Sequence, residues 1–298
     1  MFWGADLVVF HSFPAIINFS LLIPSVLRKS VWVIWGHDIA DYKPTNRTFF
    51  NRAYFHLHHL FKVFLTSHIS HVVSRPSEYS VILQHYNPNA VNHPVPALYP
   101  PYFSLTALSK SHSKSYPNKI GVLCGHSAFK NEGHLDILKS LCRFPKEHLH
   151  IYIPLAYGDA EYMQTVSQAA FHRFGTEQVT ILRESLPYEK YCEFIANCID
   201  VAILDATQQS GLGNIFLLLQ LGKKVFLHDD GLNKKICDEA GFHTFNSSLI
   251  HSSNLSLEEI ANLDANIRET NISRATQYMD PFVAKKQWDD VFKLAEIQ

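Results

Sequence analysis

The chain has 298 residues, of which 47% are hydrophobic and 18% charged, so it can bury a large core and is not a disordered protein. At roughly 150 residues per domain, this length predicts about two domains. The formal net charge of -1 argues against a nucleic-acid partner. Its 18 histidines and 13% aromatic residues suit a protein at a membrane interface or one that stacks on a ligand, and equally a soluble protein with a histidine-rich surface.

The cysteines and the apolar segments indicate a compartment. Five cysteines are an odd number, and none forms a Cys-x-x-Cys pair, so a reducing cytoplasm is expected. The N-terminus has no basic segment and carries Asp6 before its first apolar run, so no signal peptide is predicted. The most apolar stretch, residues 13–27, contains two prolines and is shorter than the roughly 20 residues that span a bilayer.

The first hundred residues alternate short apolar strands with helices. The pattern predicts strands at 6–11, 31–36 and 68–74 and helices at 14–28, 45–66 and 77–85. A complete doubly wound domain would have one or two more strand-helix units before residue 5, so we expect either a sequence that begins late or an abbreviated first domain.

Six prolines interrupt residues 86–118, and helices and central strands tolerate proline poorly. We therefore expect an interdomain linker there and assign it to 101–118. The first domain is placed at 1–100 and the second at 119–271, and a C-terminal helix over 272–298 is a candidate to pack back on the first domain.

After the linker the alternation is regular. Strands are predicted at 119–125, 149–155, 179–183, 200–205 and 224–228, and helices at 131–143, 159–174, 188–197, 212–221 and 233–240. Such alternation predicts a parallel sheet with helices on both faces, and the chain ends in more helix from residue 257.

Ligands of open parallel sheets bind beyond the carboxyl ends of the strands, so we expect a site in a cleft between the two domains. The most informative loop is 207–214, in which Gly211 and Gly213 lead into a helix whose N-terminus suits a phosphate. It matches neither the P-loop nor the dinucleotide motif, and a tight turn alone also explains two such glycines.

Polar residues also follow two strands of the first domain. His11 follows one strand, and Trp35-Gly36-His37-Asp38 follows the next. These residues are candidates for a base and for acceptor binding. A capping role explains His11 equally well, and a helix N-cap role explains Asp38.

The motifs, taken in order, resemble glycosyltransferase family 56, the Fuc4NAc transferases of enterobacterial common antigen synthesis. The similarity covers about residues 9–225. The matching positions are Trp35, Gly36 and Asp38; Gly125 and Ser127, with His126 where the family has asparagine; His134; Pro154 to Tyr157; Glu184, Leu186 and Tyr191; and Gln208, Gln209, Gly211, Gly213 and Gln220.

The resemblance implies a GT-B fold of two Rossmann-like domains and an inverting transfer of a Fuc4NAc-like or fucose-like sugar. The donor would be a dTDP-type nucleotide sugar, and the acceptor a saccharide linked to a polyprenyl diphosphate at the cytoplasmic face of the bacterial inner membrane. The implied donor-binding residues are Gly125, Ser127, His134, Tyr157, Glu184, Gln208, Gln209, Gly211, Gly213 and Asn214. Asp38 is the first choice for the base and His11 the second, and Trp35, Gly36 and His37 lie on the acceptor side.

Two absences agree with that mechanism. The sequence contains no Asp-x-Asp, the usual metal-diphosphate clamp of the other large transferase fold, so no metal or other cofactor is expected. No glutamate lies between Phe194 and Asp238, where retaining GT-B enzymes commonly carry a pair. Two other functions stay open, a non-catalytic sugar-nucleotide-binding scaffold and a sugar-nucleotide 2-epimerase.

The aromatic, weakly basic helix over 45–66 has two interpretations. It could lie on the membrane surface near a lipid acceptor, or it could belong to the core. Its histidines at 56, 58 and 59 suggest zinc, but no cysteine or carboxylate lies near them in sequence, so we expect no metal there.

Overall fold

The computed structural model describes residues 4–12, 24–36, 38–39, 49–95, 118–252 and 255–296. The chain divides into an N-terminal unit, Met1–Pro100 with Met279–Gln298, and a C-terminal unit, Pro101–Tyr278. Apart from Asn118, the linker expected at 101–118 lies outside the described residues.

The N-terminal unit contains a parallel sheet in the order β1-β2-β3-β4. Its strands are β1 (Val8–His11), β2 (Ser30–Val33), β3 (His71–Val73) and β4 (Val91–Asn92), and its first helices are α1 (Pro24–Arg28), α2 (Phe49–Thr66) and α3 (Pro76–His85). Every residue of β2 is buried, which is typical of a parallel strand covered on both faces.

β4 falls inside the proline-rich stretch of residues 86–118, before the part of it that is assigned to the linker, 101–118. The strand has only two residues and pairs with β3 at the edge of the sheet. Pro88 and Pro94 lie just outside it, and an edge strand tolerates neighbouring prolines because one side of it needs no ladder partner.

The C-terminal unit contains a six-stranded sheet in the order β10-β9-β8-β5-β6-β7, and all of its strand pairs are parallel. The strands are β5 (Ile120–Cys124), β6 (Leu149–Pro154), β7 (Val179–Leu182), β8 (Val201–Leu204), β9 (Lys224–Leu227) and β10 (Phe245–Asn246). The helices are α4 (His134–Leu141), α5 (Ala160–Phe174), α6 (Tyr188–Cys198), α7 (Leu212–Gln220), α8 (Leu232–Glu239), α9 (Ser248–Ser252), α10 (Leu257–Ala261) and α11 (Ala265–Tyr278).

The strand order reverses beside β5. From β5 the chain proceeds outward through β6 and β7, then returns to β8 on the other side of β5 and continues through β9 to β10. This reversal is a topological switch point, and it separates the loops that follow β5 and β8.

The C-terminal helix expected over 272–298 is two helices that belong to different units. α11 packs against α7, whereas α12 (Pro281–Phe292) places Val291 in a buried cluster with Val31, Val33 and Val73 of the N-terminal sheet. Asp280 caps α12 by accepting a hydrogen bond from the Phe282 amide at 2.8 Å. Among the described residues, no helix is both long enough and apolar enough to cross a membrane.

Candidate functional site

The switch point of the C-terminal sheet brings two glycine turns together. Gly125 follows β5 with φ +67°, and Gly211 precedes α7 with φ +65°. The Gly125 amide donates to the Ile203 carbonyl of β8 at 3.0 Å, which ties the two strand ends to each other. Both turns need glycine, since a Cβ at Gly125 would lie 2.2 Å from Nε2 of His134 and one at Gly211 would lie 2.8 Å from the His126 ring.

The N-terminus of α7 leaves backbone amides without partners inside the helix. Gly211 is its N-cap and contributes no side-chain cap, and the first intrahelical bond runs from the Ile215 amide to the Gly211 carbonyl at 3.1 Å. The amides of Leu212, Gly213 and Asn214 therefore have no partner within the helix. Gly213 is exposed, and no atom lies within 4 Å of a Cβ built on it, so a ligand can approach its backbone closely.

A buried asparagine holds the turn that leads into α7. The Ser210 amide donates to Oδ1 of Asn233 at 3.1 Å, and Nδ2 of Asn233 donates back to the Ser210 carbonyl at 2.7 Å. Two reciprocal bonds fix the backbone of Ser210, so the turn is organised before any ligand binds.

Glu132 connects the loops after β5 and β8. Its carboxylate is fully buried and accepts hydrogen bonds from the His126 ring Nδ1 at 2.8 Å, from the Ser210 hydroxyl at 2.9 Å and from the Ser127 hydroxyl at 3.3 Å. Burial acts to raise the pKa of Glu132, but the hydrogen bond and charge of His126, with the Ser210 bond, outweigh it and hold that pKa below its ordinary value. Glu132 is therefore an ionised, acceptor-only group at neutral pH.

His134, the first residue of α4, is completely buried beside this network. Both of its ring nitrogens lack a hydrogen-bond partner among the described residues, and its ring packs edge-to-face on Tyr162. Burial lowers its pKa to about 4, so the ring is neutral at neutral pH. The structure therefore places His134 behind Gly125 rather than at the surface of the edge.

Aromatic side chains flank the same edge. Tyr157, which follows β6, is exposed and packs edge-to-face near both His126 and Phe129, with ring centroids 6.3 and 6.2 Å apart. The Ala128 amide donates to the Tyr157 carbonyl at 2.7 Å, so the loops after β5 and β6 are joined. Tyr188, at the start of α6, is exposed as well.

The remaining donor-side candidates fall at the same edge. Gln208 and Gln209 are half-buried in the loop before Gly211, and Oε1 of Gln209 is buried with no partner among the described residues. Asn214 lies in the first turn of α7. Glu184 is exposed after β7, the outermost strand on its side, and so lies farther from the switch point than the other candidates.

The sequence motifs did not mark Glu132, Ser210 or Asn233 as site residues. Glu132 and Ser210 are 78 residues apart, and only the return of the chain from β7 to β8 brings them together. The motifs also did not mark Asp205, which follows β8 and contacts Nε2 of His251 at 3.0 Å. Within the residues that the structure describes, no three histidine, cysteine or carboxylate side chains are grouped as a metal site.

In the N-terminal unit, Asp38 is buried and hydrogen-bonded. Its carboxylate accepts bonds from the Ser12 hydroxyl at 2.7 Å, the Trp35 amide at 2.9 Å and the Trp32 indole at 3.4 Å. Ser12 has the left-handed φ of 69°, uncommon outside glycine, and Asp38 thereby ties the loop after β1 to the loop after β2.

The other first-domain candidates follow the same two strands. His11, the exposed last residue of β1, lies near the Trp288 ring of α12 at 5.8 Å between centroids. Trp35 is exposed and Gly36 buried, and β2 ends at Val33, earlier than predicted. His37 lies outside the described residues.

Two parallel-sheet α/β units are the architecture of the GT-B glycosyltransferases, and solved structures of that class resemble this chain. Anabaena HepE in complex with UDP and glucose is 14% identical, with a TM-score of 0.64 over 92% of this chain and 74% of that one. Sucrose-phosphate synthase from Thermosynechococcus elongatus is 10% identical, with a TM-score of 0.69 over 99% of this chain and 75% of that one. WaaG, a glycosyltransferase involved in lipopolysaccharide biosynthesis, is 14% identical, with a TM-score of 0.60 over 98% of this chain and 76% of that one.

The chain belongs to the family described as 4-alpha-L-fucosyltransferase, glycosyl transferase group 56, whose profile matches residues 4–296. The resemblance to family 56 and the GT-B fold are therefore confirmed, and the protein is a glycosyltransferase.

Proposed function

We propose that this enzyme moves a deoxy-amino sugar, Fuc4NAc-like or fucose-like, with inversion from a dTDP-type nucleotide sugar to a lipid-linked saccharide in bacterial surface glycan synthesis. The observation that carries the proposal is the N-terminus of α7, where Gly211 caps the helix without a side-chain bond and the first amides have no partner within the helix. The family description, a fucosyltransferase, supports the sugar class.

The donor diphosphate would bind at α7. The amides of Leu212, Gly213 and Asn214 and the positive end of the helix dipole stabilise negative charge, which grows on the diphosphate as the sugar leaves. Gly213 leaves room for this approach because nothing lies within 4 Å of its Cβ position. The proposed reaction needs no metal ion or organic cofactor, since the helix end supplies the charge stabilisation.

The donor base would stack on the aromatic surface beside α7. Tyr157 and Phe129 expose ring area next to the loop after β5, and flat rings of this kind suit a nucleobase. The buried Oε1 of Gln209 supplies an acceptor close to the same loop.

Inversion requires a base that takes the proton of the acceptor hydroxyl. We assign this role to Asp38 first and His11 second, with Trp35, Gly36 and His37 around the acceptor. The three donors on the Asp38 carboxylate give it a second task, because they hold the loops after β1 and β2 together. A base that is also a loop anchor must affect stability as well as rate when it is changed.

The lipid part of the acceptor would be met at α2. Leu57, Leu60, Phe61 and Phe64 are exposed and follow the i, i+3, i+4, i+7 spacing of one helix face. An exposed apolar stripe on a helix suits burial in the interfacial layer of a bilayer, and supports a peripheral location on the cytoplasmic face of the inner membrane. The core interpretation of this helix applies to its other face, where Lys62, Leu65 and Thr66 are buried.

The test is turnover of dTDP-Fuc4NAc, compared with UDP- and GDP-sugars, with and without a polyprenyl-diphosphate saccharide. Transfer that requires both dTDP-Fuc4NAc and the lipid acceptor is the expected result. Sugar isomerisation without the acceptor would make the protein an epimerase, and binding without any turnover would make it a scaffold.

A second assay tests the membrane contact. Binding to anionic vesicles should weaken in the variant Leu60→Ser with Phe64→Ser, and should not change in the matched variant Leu186→Ser with Tyr188→Ser, whose exposed residues lie in the C-terminal unit. Equal vesicle binding by both folded variants would remove α2 from the membrane model.

A further inference from the structure

Three side chains at the switch point form a continuous hydrogen-bonded chain. The Glu132 carboxylate accepts from Nδ1 of His126 at 2.8 Å, and Nε2 of His126 lies 3.3 Å from the Ser210 hydroxyl. Ser210 is the residue just before Gly211, so its hydroxyl lies at the N-terminus of α7. The chain thus runs from a fully buried carboxylate to the helix end where an anion would bind.

The hydrogen bonds show which form of the ring can pass on a proton. An ionised carboxylate only accepts, so Nδ1 of His126 carries a proton and the Ser210 hydroxyl donates to Glu132 at 2.9 Å. The Ser210 oxygen can accept from Nε2 of His126, 3.3 Å away, when that nitrogen carries a proton as well. A ring protonated on both nitrogens, an imidazolium, can therefore pass its Nε2 proton to Ser210.

We propose that Glu132, His126 and Ser210 form a proton relay to the leaving diphosphate, with Ser210 as the catalytic donor and with His126 and Glu132 acting through it. This assignment rests on the proposed binding of a nucleotide-sugar diphosphate at α7, and it goes beyond that binding by naming where the leaving group obtains its proton.

The step balances. As the bond between the sugar anomeric carbon and the β-phosphate oxygen breaks, its electron pair stays on that oxygen. The Ser210 hydroxyl turns from Glu132 to this oxygen and gives it its proton. Ser210 recovers a proton from Nε2 of His126, and the ring becomes neutral while its Nδ1 proton stays on the bond to Glu132. The protonated diphosphate leaves, and solvent returns a proton to the ring.

The geometry around the ring supports this role. Gly211 has no side chain, and a Cβ there would lie 2.8 Å from Cγ of the ring, so glycine at this position lets His126 lie against the turn. His126 itself is only 7% exposed, which keeps water from competing for its protons.

The charged and titratable groups that face His126 hold constant charge around neutral pH. Glu132 is ionised because its pKa is held low by His126 and Ser210 against the effect of burial. His134, on α4, is neutral because burial lowers its pKa to about 4. Tyr157, after β6, is neutral because burial and the Glu132 charge raise its pKa. A pH dependence that vanishes with His126 therefore reports the relay.

The experiment measures kcat and the donor KM between pH 5 and pH 10 for the wild type and for Glu132→Gln, His126→Gln and Ser210→Ala. A relay predicts a wild-type kcat that falls on the alkaline side, and a loss of about 10²-fold or more at the optimum in His126→Gln and Ser210→Ala, since general acids contribute 10²–10⁴-fold. Glu132→Gln should lower kcat as well, because a neutral amide does not accept from the His126 ring and the Ser210 hydroxyl as strongly as the carboxylate does.

Matched controls and a binding assay separate the relay from simple misfolding and from the proposed function. Ser252→Ala and Glu258→Gln change exposed residues elsewhere in the unit and should leave the profile as it is. Binding of dTDP, measured by calorimetry, should weaken by less than about tenfold in His126→Gln, because the helix amides remain.

The outcomes are distinct. If the wild type binds no nucleoside diphosphate, the proposed donor site fails and the relay with it. If the wild type binds and transfers, but the three variants keep its kcat, or lose kcat equally at every pH with the alkaline fall unchanged, the relay is wrong and the donor site stands.

Discussion

Gly211→Ala tests the site through a single methyl group. The residue has φ +65°, a region that costs a residue with a Cβ roughly 1–2 kcal/mol. The new Cβ would also lie 2.8 to 2.9 Å from three atoms of the His126 ring, so the ring or the turn must shift and their present fit is lost. For a domain of 150–250 residues, each kcal/mol corresponds to a fall in Tm of about 2–4 °C.

The matched variant is Gly222→Ala, just after the other end of α7. Gly222 has nearly the same φ, +67°, and its Cβ would meet the flexible side chains of Arg268 and Ile272 instead of the site. Both variants should lose Tm by a few degrees, but only Gly211→Ala should lose kcat, by at least about tenfold, or 1.4 kcal/mol of barrier. Calorimetry gives the Tm of each variant, and the transfer assay gives its kcat. Equal activity of the two variants at matched Tm would refute the argument that the turn positions His126.

The other predictions concern separate parts of the account. Gly213→Val should weaken donor binding by more than about tenfold, or 1.4 kcal/mol. Its Tm should not fall, because no atom of the protein lies within 4 Å of the Cβ position. Unchanged donor affinity in calorimetry would show that the phosphate does not bind at this position. Asp38→Asn should lower kcat by about 10²–10⁴-fold without changing donor affinity, and it should also lower Tm, because a buried hydrogen-bond acceptor loses its charge. If the folded Asp38→Asn variant keeps full kcat while His11→Ala is inactive, His11 is the base. Activity should survive EDTA, and loss of activity that Mg²⁺ restores would overturn the metal-free mechanism. As the pH falls from 6.5 to about 4, the unfolding free energy should fall by up to about 3 kcal/mol because of His134. Its pKa is lowered in the folded state, so the unfolded chain binds a proton that the folded state does not take up. His134→Gln should flatten this pH dependence in denaturant titrations, and an unchanged slope would assign it to other groups.

The C-terminal sheet was predictable because its strands are continuous apolar runs. β5, β6, β8 and β9 are each almost wholly buried, so composition alone marks them, and the predicted strands overlap the observed ones. β4 and β10 have two residues each, too few to carry any periodic signal, and both were missed.

The helix predicted at 131–143 shows a second limit. Its first turn, Lys130–Glu132, is 3₁₀, and Gly133 at φ +71° separates it from α4. A Cβ on Gly133 would come within 3.1 Å of Asp205, so glycine here fits a contact with the residue after β8 that local sequence does not show.

The candidate site was predictable where one loop carries several signals. The glycines at 211 and 213 lie at the start of a predicted helix, and the sequence alone is enough to propose an anion site there. Glu132 gives no such signal, since a single glutamate in a polar turn is normally solvated. Its role depends on burial beneath Ser210, which lies 78 positions away.

The most direct test of the central claim is a titration of the isotopically labelled protein with dTDP, followed by amide NMR. The account predicts that the largest shift changes fall on the amides of Leu212, Gly213 and Asn214, with thymidine alone producing much smaller changes there. Binding of dTDP that leaves these three amides unperturbed would contradict a diphosphate site at the N-terminus of α7.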